Sequence, residues 1–175
     1  MADLNKAVAV VAGAVIAMSP LALLEMQKHE GTGPTVKTTE GVLYKAYPDP
    51  YLGWDKATIC YGHTQGVKQG MTAIQAQCDA WFKEDVARHC ALVKPWPKTQ
   101  GELDAYCSFA YNTGRFEGTS SVHGRYIKDD RWGACMGLLK YYYSGGKPSR
   151  GLWERRYAEY NYCISELPIN LKRNQ

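Results

Sequence analysis

The chain has no Cys-x-x-Cys pair and no close Cys/His cluster, which excludes a zinc site of the usual spacing. It has no cluster of Lys and Arg, so its net charge of +4 is not the footprint of a nucleic-acid binder. No internal repeat or low-complexity segment occurs. No cysteine precedes Cys60, although six are present in all. Charge is missing too: between Lys6 and Glu25 lie 18 residues without Asp, Glu, Lys or Arg.

What is present is globular in composition. A chain of 175 residues builds one domain with a real core, or two small lobes sharing one. Hydrophobic residues at 45% and charged residues at 22% exclude disorder for most of the length.

The uncharged run, AVAVVAGAVIAMSPLALL, covers Ala7 to Leu24. As one helix it would span about 27 Å, just short of the ~30 Å hydrocarbon core of a bilayer. Eight of its residues are Val, Ile or Leu, each worth roughly −0.3 to −0.6 kcal/mol for insertion, while Gly13, Ser19 and Pro20 weaken it. Insertion is therefore favourable by a narrow margin. A buried core helix is the first reading, but a helix apolar all round is unusual in so small a protein. A cleaved signal peptide is the second, because Ala17-Met18-Ser19 resembles a small-x-small cut site. The third, preferred here, is a weak uncleaved signal anchor over residues 1–25, with the N-terminus inside and the body exported.

Residues 26–39 read as a polar connector, and 168–175 as a frayed tail after Pro168. Turn signals at Pro48-Asp49-Pro50 and Gly53 flank β-forming residues around Thr58-Ile59-Cys60-Tyr61, giving a small tyrosine-rich sheet. From Thr72, with Gln75 as its capping-box partner, Ile74, Cys78, Trp81, Phe82, Val86 and Cys90 recur at helical spacing to about Val93. Further helices are expected at about 100–112, 129–143 and 150–165. The last carries a stripe of Trp153, Tyr157, Tyr160 and Cys163 that reads as core. The class is α+β, mainly α, with a small N-terminal antiparallel sheet.

Cys78 and Cys90 share one expected helix, about 18 Å apart along its axis, and so cannot bond each other. Pairing neighbouring elements without crossing gives Cys60–Cys78, Cys90–Cys107 and Cys135–Cys163. None of these ties the apolar segment to the body.

Between Glu40 and His63 the sequence is EGVLYKAYPDPYLGWDKATICYGH. Cleaving a glycosidic bond needs a proton for the leaving oxygen and a carboxylate that steadies positive charge or activates water. A glutamate in an apolar setting beside Val42, Leu43 and Tyr44 would keep its proton, and an aspartate in a Pro-Asp-Pro turn would stay ionised. Thr58 would hold a water against Asp49. By themselves these residues also fit a plain surface: two carboxylates nine apart are common, His63 would pair with Asp85, and the tyrosines would cover a sheet face.

Four pieces in series go further. Glu40-Gly41, Ala46-Tyr47-x-Asp49 and Thr58-Ile59-Cys60-Tyr61-Gly62-His63-Thr64 resemble the catalytic signature of phage-type lysozymes, glycoside hydrolase family 24. Phe109-Ala110-Tyr111-Asn112-Thr113-Gly114 resembles that family's second-lobe element. Tyr143-Ser144-Gly145-Gly146-Lys147 with Gly151-Leu152-Trp153-Glu154-Arg155-Arg156 resembles its closing segment. The resemblance implies a lysozyme-like two-lobe catalytic domain over 40–167, joined by the helix from about 72, with Glu40 as general acid, Asp49 as the water-positioning carboxylate and Thr58 as third site residue. Tyr61, His63, Tyr111 and Asn112 become substrate-binding candidates. Glu30-Gly31 is a second Glu-Gly pair, but it stands nineteen residues before Asp49 where the family pattern has nine, so Glu40 is preferred. The nine residues from Asp49 to Thr58 exceed the usual six and imply a three-residue insertion around 51–56.

The implied activity is hydrolysis of the β-1,4 bond between N-acetylmuramic acid and N-acetylglucosamine in peptidoglycan, with inversion, by a monomer using no metal or cofactor. The apolar N-terminus resembles the signal-anchor-release segment of some phage endolysins. Such an enzyme waits tethered to the host inner membrane facing the periplasm and is then released into it. Control by an anchor cysteine is excluded, since the anchor has none. The competing expectation is a membrane-anchored wall-binding protein without catalysis. A membrane-disrupting role for the N-terminus is weaker, for want of a cationic face.

Overall fold

A computed structural model of the chain describes residues 18–50 and 52–168, together with the backbone of 9–11 and 14–16. The expectations for Tyr51 and for the tail beyond Pro168 lie outside the described residues. The apolar run is not one helix here. β1 (Ala9–Val11) pairs antiparallel with β2 (Ala14–Ile16), and α1 (Pro20–Glu30) takes the run's last five residues. Local chemistry explains the helix start. Ser19 is an extended N-cap whose Oγ accepts from the Ala22 amide, and Pro20 supplies a preset first helical φ. Gly31 stops the helix at φ 65°. The 26–39 connector is therefore corrected: it contains the last turns of α1 and the strand β3 (Thr35–Thr38). No helix among the described residues is long and apolar enough to cross a membrane.

β3 forms a hairpin with β4 (Gly41–Lys45), in the register Thr38 opposite Gly41. A second hairpin joins β5 (Tyr47–Asp49) and β6 (Gly53–Thr58). β7 (Thr72–Ala73) pairs with β4, so Thr72 is a strand residue and not a helix cap. The long helix α2 (Gln75–Ala91) starts after Ile74, whose amide donates to the Gln77 side chain, and Ile74 is itself exposed.

The rest is helical: α3 (Gln100–Thr113), α4 (His123–Tyr126), α5 (Arg131–Leu138) and α6 (Arg150–Ser165), with the hairpin β8 (Tyr143–Ser144) and β9 (Lys147–Pro148) before α6. α3 begins with a reciprocal capping box between Thr99 and Glu102. It is the hub of the core: Ala105, Tyr106, Cys107, Phe109 and Ala110 are fully buried. Disulfides join Cys60 to Cys78, Cys90 to Cys107, and Cys135 to Cys163. They link the sheet region to α2, α2 to α3, and α5 to α6. The architecture is α+β, a small antiparallel lobe and a helical lobe joined by α2. One stripe differs from expectation: Trp153 and Tyr157 are 43% and 52% exposed, while Arg155, Arg156 and Glu159 of the same helix are buried.

Candidate active site

Among the described residues two carboxylates line the cleft between the lobes, Glu30 and Asp85, and Glu40 is not one of them. Glu30 is the last residue of α1, its side chain 16% exposed, and it pairs with Arg155 of α6. Its second oxygen faces Gly62, where an added Cβ would lie 3.6 Å from it. Glu40 sits in the two-residue turn between β3 and β4, exposed, its amide donating to Thr38 Oγ1. The β3–β4 hairpin thus separates α1, with Glu30 at its end, from β5, and its turn carries a second Glu-Gly pair.

Asp49 and Thr58 come from the β5–β6 hairpin. Tyr47 faces Thr58 and Asp49 faces Gly53, so two steps along β5 are matched by five along β6. The three extra residues are absorbed as an irregularity in β6. Directly opposed residues share a face of an antiparallel pair, and so do residues two apart on one strand. Thr58 therefore shares a face with Tyr47. Lys56 of the same strand lines the cleft beside Glu30, whereas Asp49 and Thr58 are not among its lining residues. Tyr47 packs on the backbone of Gly33, just beyond α1, and burial and then the Glu30 charge raise its pKa. Asp49 Oδ1 accepts from the Leu52 amide at 2.9 Å, which fixes the turn.

The cleft is about 350 Å³ in volume beside Glu30, with Arg88 and His89 of α2 and Tyr111 to Gly114 at the end of α3 on its other wall. It continues past Asn112 and Thr113 into a further 440 Å³ bounded by Lys140, Tyr143 and Leu152. Of the four substrate-binding candidates, Tyr111 and Asn112 line this cleft. Tyr61 and His63 do not. Tyr61 is buried and its hydroxyl accepts from Gln75. His63 is 6% exposed, pairs with Asp85 at 2.8 Å and stacks on Trp81. Tyr111 donates to the Tyr61 carbonyl at 2.6 Å, tying α3 to the loop that carries Gly62. Its pKa is raised, by burial first and by Glu30 second.

Sequence reasoning also missed what lies beneath Glu30. Arg155 is shared: Nη1 goes to Glu30, Nε to Glu159 at 3.2 Å, and Nη2 to the Ser108 carbonyl at 3.1 Å. Glu159 in turn holds Arg156, whose Nη2 donates to Asn112 at 3.0 Å and whose guanidinium lies over the Phe109 ring. Burial pushes Arg156 down to about 10 and Glu159 upward, against the attraction between them. The network spans from core to cleft, so its charges hold Glu30 and Asn112 in place. Ser19-Pro20 followed by Glu30-Gly31 is the sequence signal that would have found Glu30: a capped helix ending on a glutamate. Among the described residues no group of three or more His, Cys, Asp or Glu is placed to hold a metal ion.

The family model for phage lysozyme matches residues 37–159. The chain is 32% identical over 169 residues to the SAR-endolysin of bacteriophage PS34, covering 91% of this chain and 93% of that protein. It is 33% identical over 172 residues to the SAR-endolysin of Enterobacteria phage PA-2, covering 93% and 96%. In fold it is similar to the active form of P1 phage endolysin Lyz, with a TM-score of 0.67 and 21% identity over 87% of this chain and 88% of that one. With its cleft, lobes and family match in accord, the chain belongs to the phage lysozyme family and is a glycoside hydrolase of the muramidase type, a phage endolysin.

Proposed function

We propose that this endolysin hydrolyses the β-1,4 bond between N-acetylmuramic acid and N-acetylglucosamine of peptidoglycan, with Glu30 as general acid and Asp49 and Thr58 holding the attacking water. The observation that carries the assignment is the Glu30–Arg155 pair in the cleft, set against Glu40 on an exposed turn. A proton from Glu30 goes to the bridging oxygen as the bond to the sugar carbon lengthens. Asp49 takes a proton from the water that attacks that carbon, with Thr58 bonded to the same water. Arg155 orients Glu30 while sharing its charge with Glu159, and a glycan filling the cleft excludes water. Turbidity loss of outer-membrane-stripped bacteria tests the assignment. Glu30→Gln is expected to abolish lysis, by about 10³-fold or more, and Glu40→Gln to keep it. A dead Glu40→Gln protein beside an active Glu30→Gln protein reverses the assignment.

We further propose that membrane tethering keeps the enzyme inactive until release. Met18, Ala22 and Met26 are at most 3% exposed in the core, and the Ser19 amide donates to Asp104 at 2.8 Å. Residues 18–24 cannot both lie in a bilayer and make these contacts, and α1 carries Glu30. Leu21 and Leu24, 71% and 55% exposed, suit the lipid arrangement better than the docked one. A form held permanently in the membrane is expected to be silent in the turbidity assay, and full activity there overturns the tethering proposal.

A further inference from the structure

α6 is amphipathic in an inverted sense. It buries Arg155, Arg156 and Glu159, and presents Trp153 and Tyr157 to solvent. The buried charges are explained by the support they give Glu30 and Asn112. The exposed rings are not explained by the core. They belong to a continuous strip, with ring centroids 4.6 Å apart from Tyr143 to Tyr142, 5.4 Å to Trp153, 6.4 Å to Tyr157, 6.4 Å to Tyr160 and 6.3 Å to Trp132. Trp153, Tyr157 and Tyr160 fall at i, i+4 and i+7, one face of the helix. Tyr160 and Trp132, at the far end of the strip, pack against the core, whereas Tyr143, Trp153 and Tyr157 are exposed. Exposing large rings side by side costs free energy that a monomeric surface ordinarily avoids.

The strip begins in the cleft. Tyr143, 55% exposed, lines the 440 Å³ extension that meets the Glu30 cavity at Asn112 and Thr113. We propose that the strip is an accessory glycan-binding surface that holds a wall strand where it leaves the catalytic cleft; this rests on the peptidoglycan substrate proposed above. Pyranose rings present C–H faces that pack on aromatic faces, and their hydroxyl and acetamido groups bond with phenol and indole polar atoms. The polar residues set between the rings fit a sugar better than a lipid. Arg150 and Glu154 form an exposed ion pair at 2.8 Å on this helix, and Asn161 is exposed beside Tyr157 and Tyr160.

The experiment uses the full-length chain. In the Glu30→Gln background, sedimentation with purified walls compares Trp153→Ala/Tyr157→Ala with the parent. The double variant is expected to bind about ten-fold more weakly, and Trp153→Phe/Tyr157→Phe to stay within about two-fold. In the active background, the ratio of kcat/KM on long strands to that on short oligosaccharides is expected to fall by a similar factor. Should the double variant fail to fold by circular dichroism, Tyr157→Ala alone carries the measurement. Unchanged wall binding with an unchanged ratio overturns the proposal. So does a loss confined to vesicles of phosphatidylethanolamine and phosphatidylglycerol, which assigns the strip to lipid. An active-site failure reads differently: a wild-type protein that binds walls through these rings yet hydrolyses none removes the substrate reading and leaves the strip.

Discussion

Arg155 does at the residue scale what no single pairwise contact would. Its three guanidinium nitrogens serve Glu30, Glu159 and the Ser108 carbonyl, all in a setting where the side chain is 4% exposed. A lysine cannot reproduce that fork. Arg155→Lys is expected to lower lysis about 10- to 100-fold in the turbidity assay, since Glu30 loses its fixed orientation. Arg155→Met leaves Glu30 without its counterion and Glu159 with Arg156 alone, and urea unfolding should show a loss of about 3 kcal/mol or more. Neither residue could be read from spacing. The Glu40-Gly41 pair matched the expected interval to Asp49, whereas Glu30 stood behind a hairpin whose length no local signal predicts. The hairpin that carries Asp49 and Thr58 was legible because turn chemistry and β-branched residues mark a hairpin directly. The charged partners on α6 were visible only as an Arg-Arg pair in sequence, with nothing to say they are buried.

Among elements, α1 is the one that brings Glu30 to the cleft. It is held at its start by the Ser19 amide on Asp104, which also accepts from Gln100 at 2.9 Å, and through its length by Ala22 and Met26. Burial, the largest influence, raises the Asp104 pKa above its ordinary value, against the bonds from Ser19 and Gln100. The sign follows. From about pH 4, the ordinary carboxylate range, up to the raised folded value, the native chain binds more protons than the unfolded one, so stability falls as pH rises through that window. Asp104→Asn should flatten this part of the Tm-versus-pH curve relative to wild type, as measured by calorimetry. Asp104→Ala should instead loosen the helix start, with faster hydrogen exchange in α1 and weaker lysis. The helices α2, α3 and α6 were legible within a few residues, because caps and the 3.6 period are local properties. α1 was not, since an apolar run is equally suited to lipid and to core. α5 was drawn too long, because Gly145-Gly146 folds Tyr143-Ser144 back into a hairpin where helical period alone would continue. Periodicity placed Trp153, Tyr157 and Tyr160 on one face without saying which side is wet.

For the whole molecule, the three disulfides join elements that are close in sequence, at separations of 17, 18 and 28 residues. That is why neighbour pairing in the sequence gave the same partners. In the chain-entropy account each bridge contributes about 3 kcal/mol. Replacing Cys90 and Cys107 by serine should therefore lower the calorimetric Tm by several degrees, with a larger fall when all six are reduced.

Because every bridge closes downstream of residue 59, the covalent framework can be completed while α1 is elsewhere. Under the tethering proposed above, a stored molecule would hold an oxidised, finished socket that lacks a single plug of eleven residues. Converting it to a working enzyme would require no bond to be made or broken. Helix formation of that length takes on the order of a microsecond or less. The delay before a host cell bursts would then be set at the lipid boundary, and scarcely at all by the protein's own folding.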